Sequence, residues 1–149
     1  MRAGSKYAQE GMTLIEVLVA LLILTVGLLG AAAVQLNALK YTDSSRMTSQ
    51  ASFIAYDMMD RIRANAAADY TVTPPTAGNL SVARDQDLYD FTTSIVNFGG
   101  PSATGTITRN QRVYTITINW NDSRAANASG TTRSFVLTSR ATVDPVATP

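Results

Sequence analysis

An uncharged, strongly apolar run near the N-terminus constrains this chain more than any other feature. Eighteen residues, Val17–Val34, carry no formal charge, and Thr25 is the one clearly polar side chain among them. This length approaches the roughly 20 apolar residues that cross a bilayer as a helix. No proline occurs before Pro74, so a helix can run from Leu14 to about Ala68. The sequence therefore predicts one long helix whose first half suits a membrane.

The second half of this helix is amphipathic. Apolar residues three and four apart form one stripe, which consists of Met47, Ala51, Ile54, Ala55, Met58 and Ile62. Asp57 and Arg61 lie off the stripe, at the spacing and in the orientation that favour an ion pair. Because such a stripe needs a partner, we expect a globular domain to pack on it.

The remainder of the chain predicts an α+β domain. Asp69–Arg84 is typical of a loop, and the apolar spacing from Leu88 to Phe98 predicts a short helix over Asp87–Asn97. Strand signals follow at Thr104–Thr108, Arg112–Trp120 and Arg133–Val143. We expect an antiparallel sheet that packs on the long N-terminal helix.

Two details refine the predicted sheet. The middle strand alternates, which predicts that Tyr114, Ile116, Ile118 and Trp120 share the buried face. A tight hairpin turn is predicted at Arg109–Gln111, and a longer polar loop at Asn121–Gly130. The loop contains the glycosylation sequon Asn127–Ser129, which we interpret as ordinary loop sequence.

The composition argues against catalysis. Cysteine and histidine are both absent, which removes the thiolate nucleophile and the commonest general base. A formal net charge of +1 gives no electrostatic case for nucleic-acid binding. Asp85, Asp87 and Asp90 cluster at a predicted helix start, where acids favour the helix dipole; a calcium site is the alternative, but EF-hand spacing is lacking. We expect no enzyme, cofactor or metal.

The N-terminus allows two interpretations. In the first it is a secretory signal peptide, with Arg2 and Lys6 as the basic region and a cleavage site at Ala31–Ala33. Against this, Glu16 stands directly before the apolar run, and the helical pattern continues through the cleavage site without a break. In the second interpretation, processing occurs before the apolar run.

The stretch GMTLIEVLVA supports the second interpretation, because it resembles the class III signal of type IV pilins. The resemblance implies that a prepilin peptidase cleaves after Gly11 and methylates the new amine of Met12. It implies three segments: a leader at 1–11, a transmembrane and assembly helix at 12–40, and a periplasmic α+β domain at 41–149. Loss of the leader removes two basic residues and one acidic residue, so the mature net charge is zero.

A charged Glu16 is energetically costly in an apolar segment, and such a residue is rarely kept without a function. A carboxylate buried among packed helices needs a cation, and the mature segment offers none before Lys40. The nearest positive charge is an α-amine, so a Glu16–amine pair between subunits would set their axial register. The alternative is a solvated interfacial carboxylate without consequence.

Two later stretches, DMMDRIRAN at Asp57–Asn65 and VYTITINWND at Val113–Asp122, resemble minor subunits of type IV pili. The resemblance implies other minor pilins, the major pilin and the inner-membrane assembly platform as partners. It implies an inner-membrane location before assembly and a pilus location afterwards, with roles in twitching, adhesion or DNA uptake. A type II secretion pseudopilin and a secreted enzyme or binding protein are the rival classes.

Overall fold

The computed structural model describes residues 12–123 and 131–141. Its elements are helix α1 (Leu14–Ala64), helix α2 (Ala83–Gly99) and strands β1 (Thr104–Asn110), β2 (Val113–Asn121) and β3 (Thr132–Arg140). The strands form one antiparallel sheet in the order β1-β2-β3. The predicted α+β class is therefore confirmed. The leader, the sequon and the predicted strand end at Val143 lie outside the described residues.

The chain divides into two compact units, Met1–Leu39 and Lys40–Pro149. In the first unit, the described residues are Met12, Thr13 and the part of α1 that ends at Leu39, and every one of them is exposed. The second unit contains the remainder of α1, helix α2, the sheet and all of the buried core. The assignment of residues 12–40 to a membrane and of 41–149 to the periplasm stays a prediction.

The core forms where the predicted faces of three elements meet. The α1 stripe buries Ala51, Ala55, Met58 and Ile62, and leaves Met47 and Ile54 partly buried. Strand β2 buries the four residues that its alternation indicated, Tyr114, Ile116, Ile118 and Trp120. Met59 is also fully buried, although the stripe omits it, because the buried arc of α1 is wider than a single row. The apolar patterns thus predict most of this core.

Helix α2 lies very close to β1. Its inward residues Leu88, Phe91 and Ile95 are buried, and a Cβ at Gly105 of β1 would collide with Phe91 and Ile95. Phe98 packs edge-on against Trp120, with 5.5 Å between ring centroids. Glycine at position 105 is therefore what lets the helix approach the strand.

The helix boundaries differ from the prediction. Helix α1 ends at Ala64 instead of about Ala68, since the chain turns there and carries Tyr70 into the core. Helix α2 begins at Ala83 instead of Asp87, because good helix formers precede the first apolar residue of its pattern. The predicted loop is correspondingly shorter at its C-terminal end.

The hairpin is tighter than the sequence indicated. Asn110 pairs with Val113, so the turn is Gln111–Arg112, and Arg109 belongs to β1 instead of the turn. Gln111 adopts φ 56°, a left-handed conformation that closes the two-residue connection. Strand β3 begins one residue before the prediction and ends at Arg140.

Candidate processing and assembly site

The N-terminal site consists of the first residues of α1 and the two before it. Met12 and Thr13 are not helical, and α1 begins at Leu14. The backbone N–H of Glu16 donates to the Thr13 carbonyl at 3.1 Å and to Thr13 Oγ1 at 3.4 Å. Thr13 therefore caps the helix and satisfies a donor that its first turn leaves open.

The structure places Glu16 in the first turn of α1, four residues after Met12. Both residues are exposed, and within 12–123 and 131–141 the Glu16 carboxylate makes no ion pair. A carboxylate there is favoured by the positive end of the helix dipole. Gly11 lies outside the described residues, so the cleavage and methylation positions stay predictions.

The helix that follows this site offers a long apolar surface. An 18-residue window of α1 is long and apolar enough to cross a membrane, and none of it is buried. The Thr25 hydroxyl donates to the Leu22 carbonyl at 2.8 Å, so its polar group is satisfied within the helix. At Gly27 and Gly30 an added Cβ would meet nothing within 4 Å, and the helix continues through both. This surface has no partner among the described residues.

Residues 6–32 match the family model of the prokaryotic N-terminal methylation motif. The chain has a type IV prepilin-like N-terminus. The match spans the predicted cleavage position, Met12 and Glu16, and it continues into the apolar helix. No curated protein and no solved structure matches the chain. Prepilin-like proteins are processed by a prepilin peptidase, associate with membrane-bound pilus machinery and are structural instead of catalytic.

The acidic cluster at the start of α2 forms ion pairs with arginines. The predicted Asp57–Arg61 ion pair is confirmed at 2.9 Å, and Arg61 Nη1 also binds Asp87 at 2.9 Å and Asp90 at 3.2 Å. Asp85 instead pairs with Arg84. Arg61 thereby ties α1 to α2, a role that its i,i+4 spacing alone could not indicate. Within the described ranges, no group of three or more acidic side chains could hold a metal ion.

Tyr70 extends this network. Its hydroxyl donates to Asp87 Oδ2 at 2.7 Å, and the side chain is buried. Burial of the phenol, followed by its hydrogen bond to the Asp87 carboxylate, raises the pKa of Tyr70 to about 12. The loop after α1 is therefore fastened to α2 by a neutral tyrosine.

A second polar contact, which the sequence reasoning missed, joins α1 to the far end of the sheet. Asp122 is buried, and its Oδ2 accepts from Ser44 Oγ at 2.8 Å and from Arg133 Nε at 2.9 Å. Ser44 continues the apolar stripe one step before Met47, and Asp122 follows Trp120 by two residues. Extending both patterns by one position would have marked two polar residues on buried faces.

Proposed function

We propose that this chain is a minor pilin of a type IV pilus, similar to the pilus modification protein PilV. The observation that carries the proposal is the uncovered apolar helix into which the methylation motif continues. A helix of this kind serves first as a membrane anchor and then, once its neighbours are subunits instead of lipid, as a filament core. The absence of cysteine favours a minor subunit, since major pilins usually close a C-terminal loop with a disulfide.

The leader and the anchor define the first steps. Arg2 and Lys6 keep the leader in the cytoplasm, and the domain after α1 faces the periplasm. Prepilin peptidase cleaves after Gly11 and methylates the amine of Met12. The mature chain then stays in the inner membrane until it binds the assembly platform.

Glu16 acts at incorporation. At the membrane edge its carboxylate reaches water, but packing among apolar helices removes that contact. Pairing with the α-amine of a neighbouring subunit then neutralises both groups, and a slip along the axis would leave two buried charges uncompensated. Glu16 therefore sets the axial register of the incoming subunit against its neighbours.

In the filament, the partners are the major pilin and other minor pilins. The chain joins the complex that primes assembly, and through the finished pilus it supports twitching, adhesion or DNA uptake. A pseudopilin of a type II secretion system has the same leader and helix and fits the methylation motif equally well. Deleting the gene separates the two classes: a minor pilin leaves fewer pili, whereas a pseudopilin leaves protein secretion impaired.

Substitution of Glu16 tests the proposed function. Glu16→Ala should be inserted and cleaved normally, because the peptidase reads Gly11 and its neighbours. Incorporation should fail, since breaking a buried pair costs roughly 3–5 kcal/mol. An immunoblot of sheared pili against membranes measures this. Glu16→Asp should give an intermediate amount.

Thr25→Val is the matched control, because it removes a polar group that is satisfied within the helix. It should reach sheared pili at the wild-type level. Equal amounts of Glu16→Ala and wild-type protein in sheared pili would contradict the role of Glu16. Absence of wild-type protein from sheared pili would contradict the assignment to a pilus.

A further inference from the structure

Strand β3 lies at an edge of the sheet, and its register shows which of its backbone groups face away from β2. Arg140 pairs with Val113, yet the hydrogen bond at this position runs from the Ala141 N–H to the Arg112 carbonyl, at 3.1 Å. Arg140 and Val113 are therefore a non-hydrogen-bonded pair, and every second residue of β3 directs its N–H and C=O outward. These residues are Thr132, Ser134, Val136, Thr138 and Arg140.

The middle of this edge is open. Arg63 of α1 donates from Nε to the outward Arg140 carbonyl at 3.3 Å and covers the C-terminal end of the edge. Within residues 12–123 and 131–141, no group bonds to the outward N–H or C=O of Ser134, Val136 or Thr138. These three residues leave three backbone donors and three acceptors available to another strand.

The sequence of this edge does not prevent pairing. Edge strands are usually protected by a charge, a proline or a bulge, and Ser134–Ser139 contains none of these. Val136 in its centre is 55% exposed. At the opposite edge of the sheet, the loop residues Thr71–Pro74 line one cavity together with Gly105–Ile107 of β1. The β3 edge is therefore the more accessible of the two.

Helix α1 runs along β3 and forms a groove with its free edge. At one end, Asp122 binds both Ser44 of α1 and Arg133 of β3. At the other end, Arg63 donates to Ser139 Oγ at 2.8 Å. These contacts are about 28 Å apart along the helix and about 20 Å apart along the strand. The helix therefore accompanies the strand over most of its length.

The side of α1 that borders this groove is open and uncharged. Tyr56 precedes Arg63 by two helical turns, so it lies on the same side, and its side chain is 53% exposed. Ser52 and Thr48 continue this side at intervals of four residues, and their hydroxyls donate to carbonyls of their own helix. A segment in the groove would therefore meet an aromatic ring and two hydroxyls that are already satisfied.

We propose that this groove binds an extended, uncharged segment of a partner protein, which adds to β3 as a fourth strand. Its backbone bonds to the three open residues of β3, and its side chains point alternately to the two faces of the sheet. The inward set packs beside Phe135 and Leu137, which are partly buried against the core, and beside the ring of Tyr56. Apolar side chains at alternate positions are thus what the groove selects.

The charges around the groove explain why the segment is uncharged. The pair between Arg133 and Asp122 lies at one end of the groove, and the pair between Arg63 and Asp60 lies at the other. Between them, neither Ser134–Ser139 nor the bordering side of α1 carries a charge. A charged side chain on the inward side would lose water without gaining a counter-ion.

A labelled peptide with the β2 sequence, VYTITINWN, tests the groove, because it is uncharged and alternates apolar residues with threonine. It is titrated against the full chain in detergent micelles, with fluorescence anisotropy as the readout. Backbone N-methylation at the peptide positions of Thr115 and Thr117, whose N–H groups face β3 when the isoleucines point inward, should lower the affinity at least about tenfold. N-methylation at Ile116 and Ile118 is the matched control and should change the affinity less than about threefold.

Substitutions in the chain locate the bound peptide. Val136→Pro removes an outward N–H that β2 does not use, so the fold should persist and the affinity should fall roughly tenfold. Val136→Thr keeps that N–H and should bind like the wild type. Tyr56→Ala should weaken binding, whereas Phe53→Ala, at an exposed position outside the groove, should not.

Four outcomes would overturn the proposal. The first two are no binding of the unmodified peptide and equal affinities of the two N-methylated peptides. In the third, a chain that ends at Ala141 binds the peptide and the full chain does not, which would make residues 142–149 the occupant. In the fourth, the full chain self-associates and Val136→Pro abolishes this, which would make a second copy the occupant. The N-methylated peptides keep the test decisive even if Val136→Pro fails to fold.

Discussion

Two side chains of the domain, Asp122 and Arg61, each hold several polar partners together. Asp122 brings a carboxylate into a buried position and is held by Ser44 on α1 and by Arg133 on β3. Arg61 is shared among three carboxylates, one on α1 and two on α2. Arg61 is partly exposed, whereas Asp122 and Ser44 are both almost fully buried. Water therefore compensates least where Ser44 meets Asp122, so that contact should be the more sensitive to substitution.

Replacement of Ser44 tests this ranking. Ser44→Ala removes one of the two donors that the described residues supply to the buried Asp122 carboxylate, and it should lower the free energy of unfolding by about 1.5–3 kcal/mol. Ser45→Ala is the control, because its exposed hydroxyl bonds only to the helix backbone, and it should change stability by less than about 0.5 kcal/mol. Urea unfolding of the fragment Lys40–Pro149 measures both. Equal stability of the two variants would show that the Ser44–Asp122 contact contributes little.

Tyr70 makes the stability of the domain depend on pH in the alkaline range. Its pKa is about 12 in the folded chain and about 10 in the unfolded chain. The contribution of Tyr70 is therefore fully present below pH 10 and is lost as the pH rises towards 12. The difference in unfolding free energy between the wild type and Tyr70→Phe should shrink over this range.

Denaturant titrations at several pH values measure this difference. Tyr56→Phe is the control, since it removes a phenol hydroxyl from an exposed ring on the same helix as Arg61. A difference between wild type and Tyr70→Phe that stayed constant from pH 8 to 12 would mean that the Tyr70 environment does not oppose ionisation.

At the scale of elements, the periodicity of apolar residues was enough to predict most of the helices, strands and buried faces. The 3.6-residue spacing identified α1 and the inward side of α2, and the two-residue alternation identified the buried side of β2. The ends of the elements were less predictable. Helix α1 ends early because the chain turns at Asn65 and brings Tyr70 into the core, and this packing is a tertiary effect. The turn at Gln111 likewise depends on strand pairing and on a left-handed residue that no propensity favours.

The candidate site residues and the polar contacts differ in the same way in how far the sequence predicts them. The spacing of Gly11, Met12 and Glu16 is local, so the sequence alone suffices to indicate a processing motif. The contacts of Ser44 with Asp122 and of Arg61 with Asp87 join residues that are 78 and 26 positions apart. Such contacts depend on how α1, α2 and the sheet are packed, and no local pattern contains that information.

The second unit should fold without the apolar half of α1. It contains its own core, and the buried residues of α1 all lie after Leu39. The fragment Lys40–Pro149 should therefore be soluble, and circular dichroism should show both helix and strand. Strand signal without helix would contradict the packing of the sheet on the α1 stripe.

At the scale of the whole molecule, the chain consists of an apolar helical segment followed by a folded domain. The first unit has an apolar, uncovered helix whose beginning lies within the methylation motif, and the second has a compact α+β domain. A secretory signal peptide would require cleavage inside α1, after Ala31–Ala33, and would release the domain without its anchor. The prepilin interpretation requires cleavage before α1, so the mature protein keeps the whole helix.

Mass spectrometry of the N-terminal peptide of membrane-extracted protein decides between these outcomes. We expect a mature chain that begins at Met12, is methylated on its α-amine and lacks the eleven residues before it. Gly11→Leu, which alters the residue before the scissile bond, should leave the precursor uncleaved and serves as the control. A mature chain beginning at Val34 would contradict the prepilin assignment, and with it the roles proposed for Glu16 and α1.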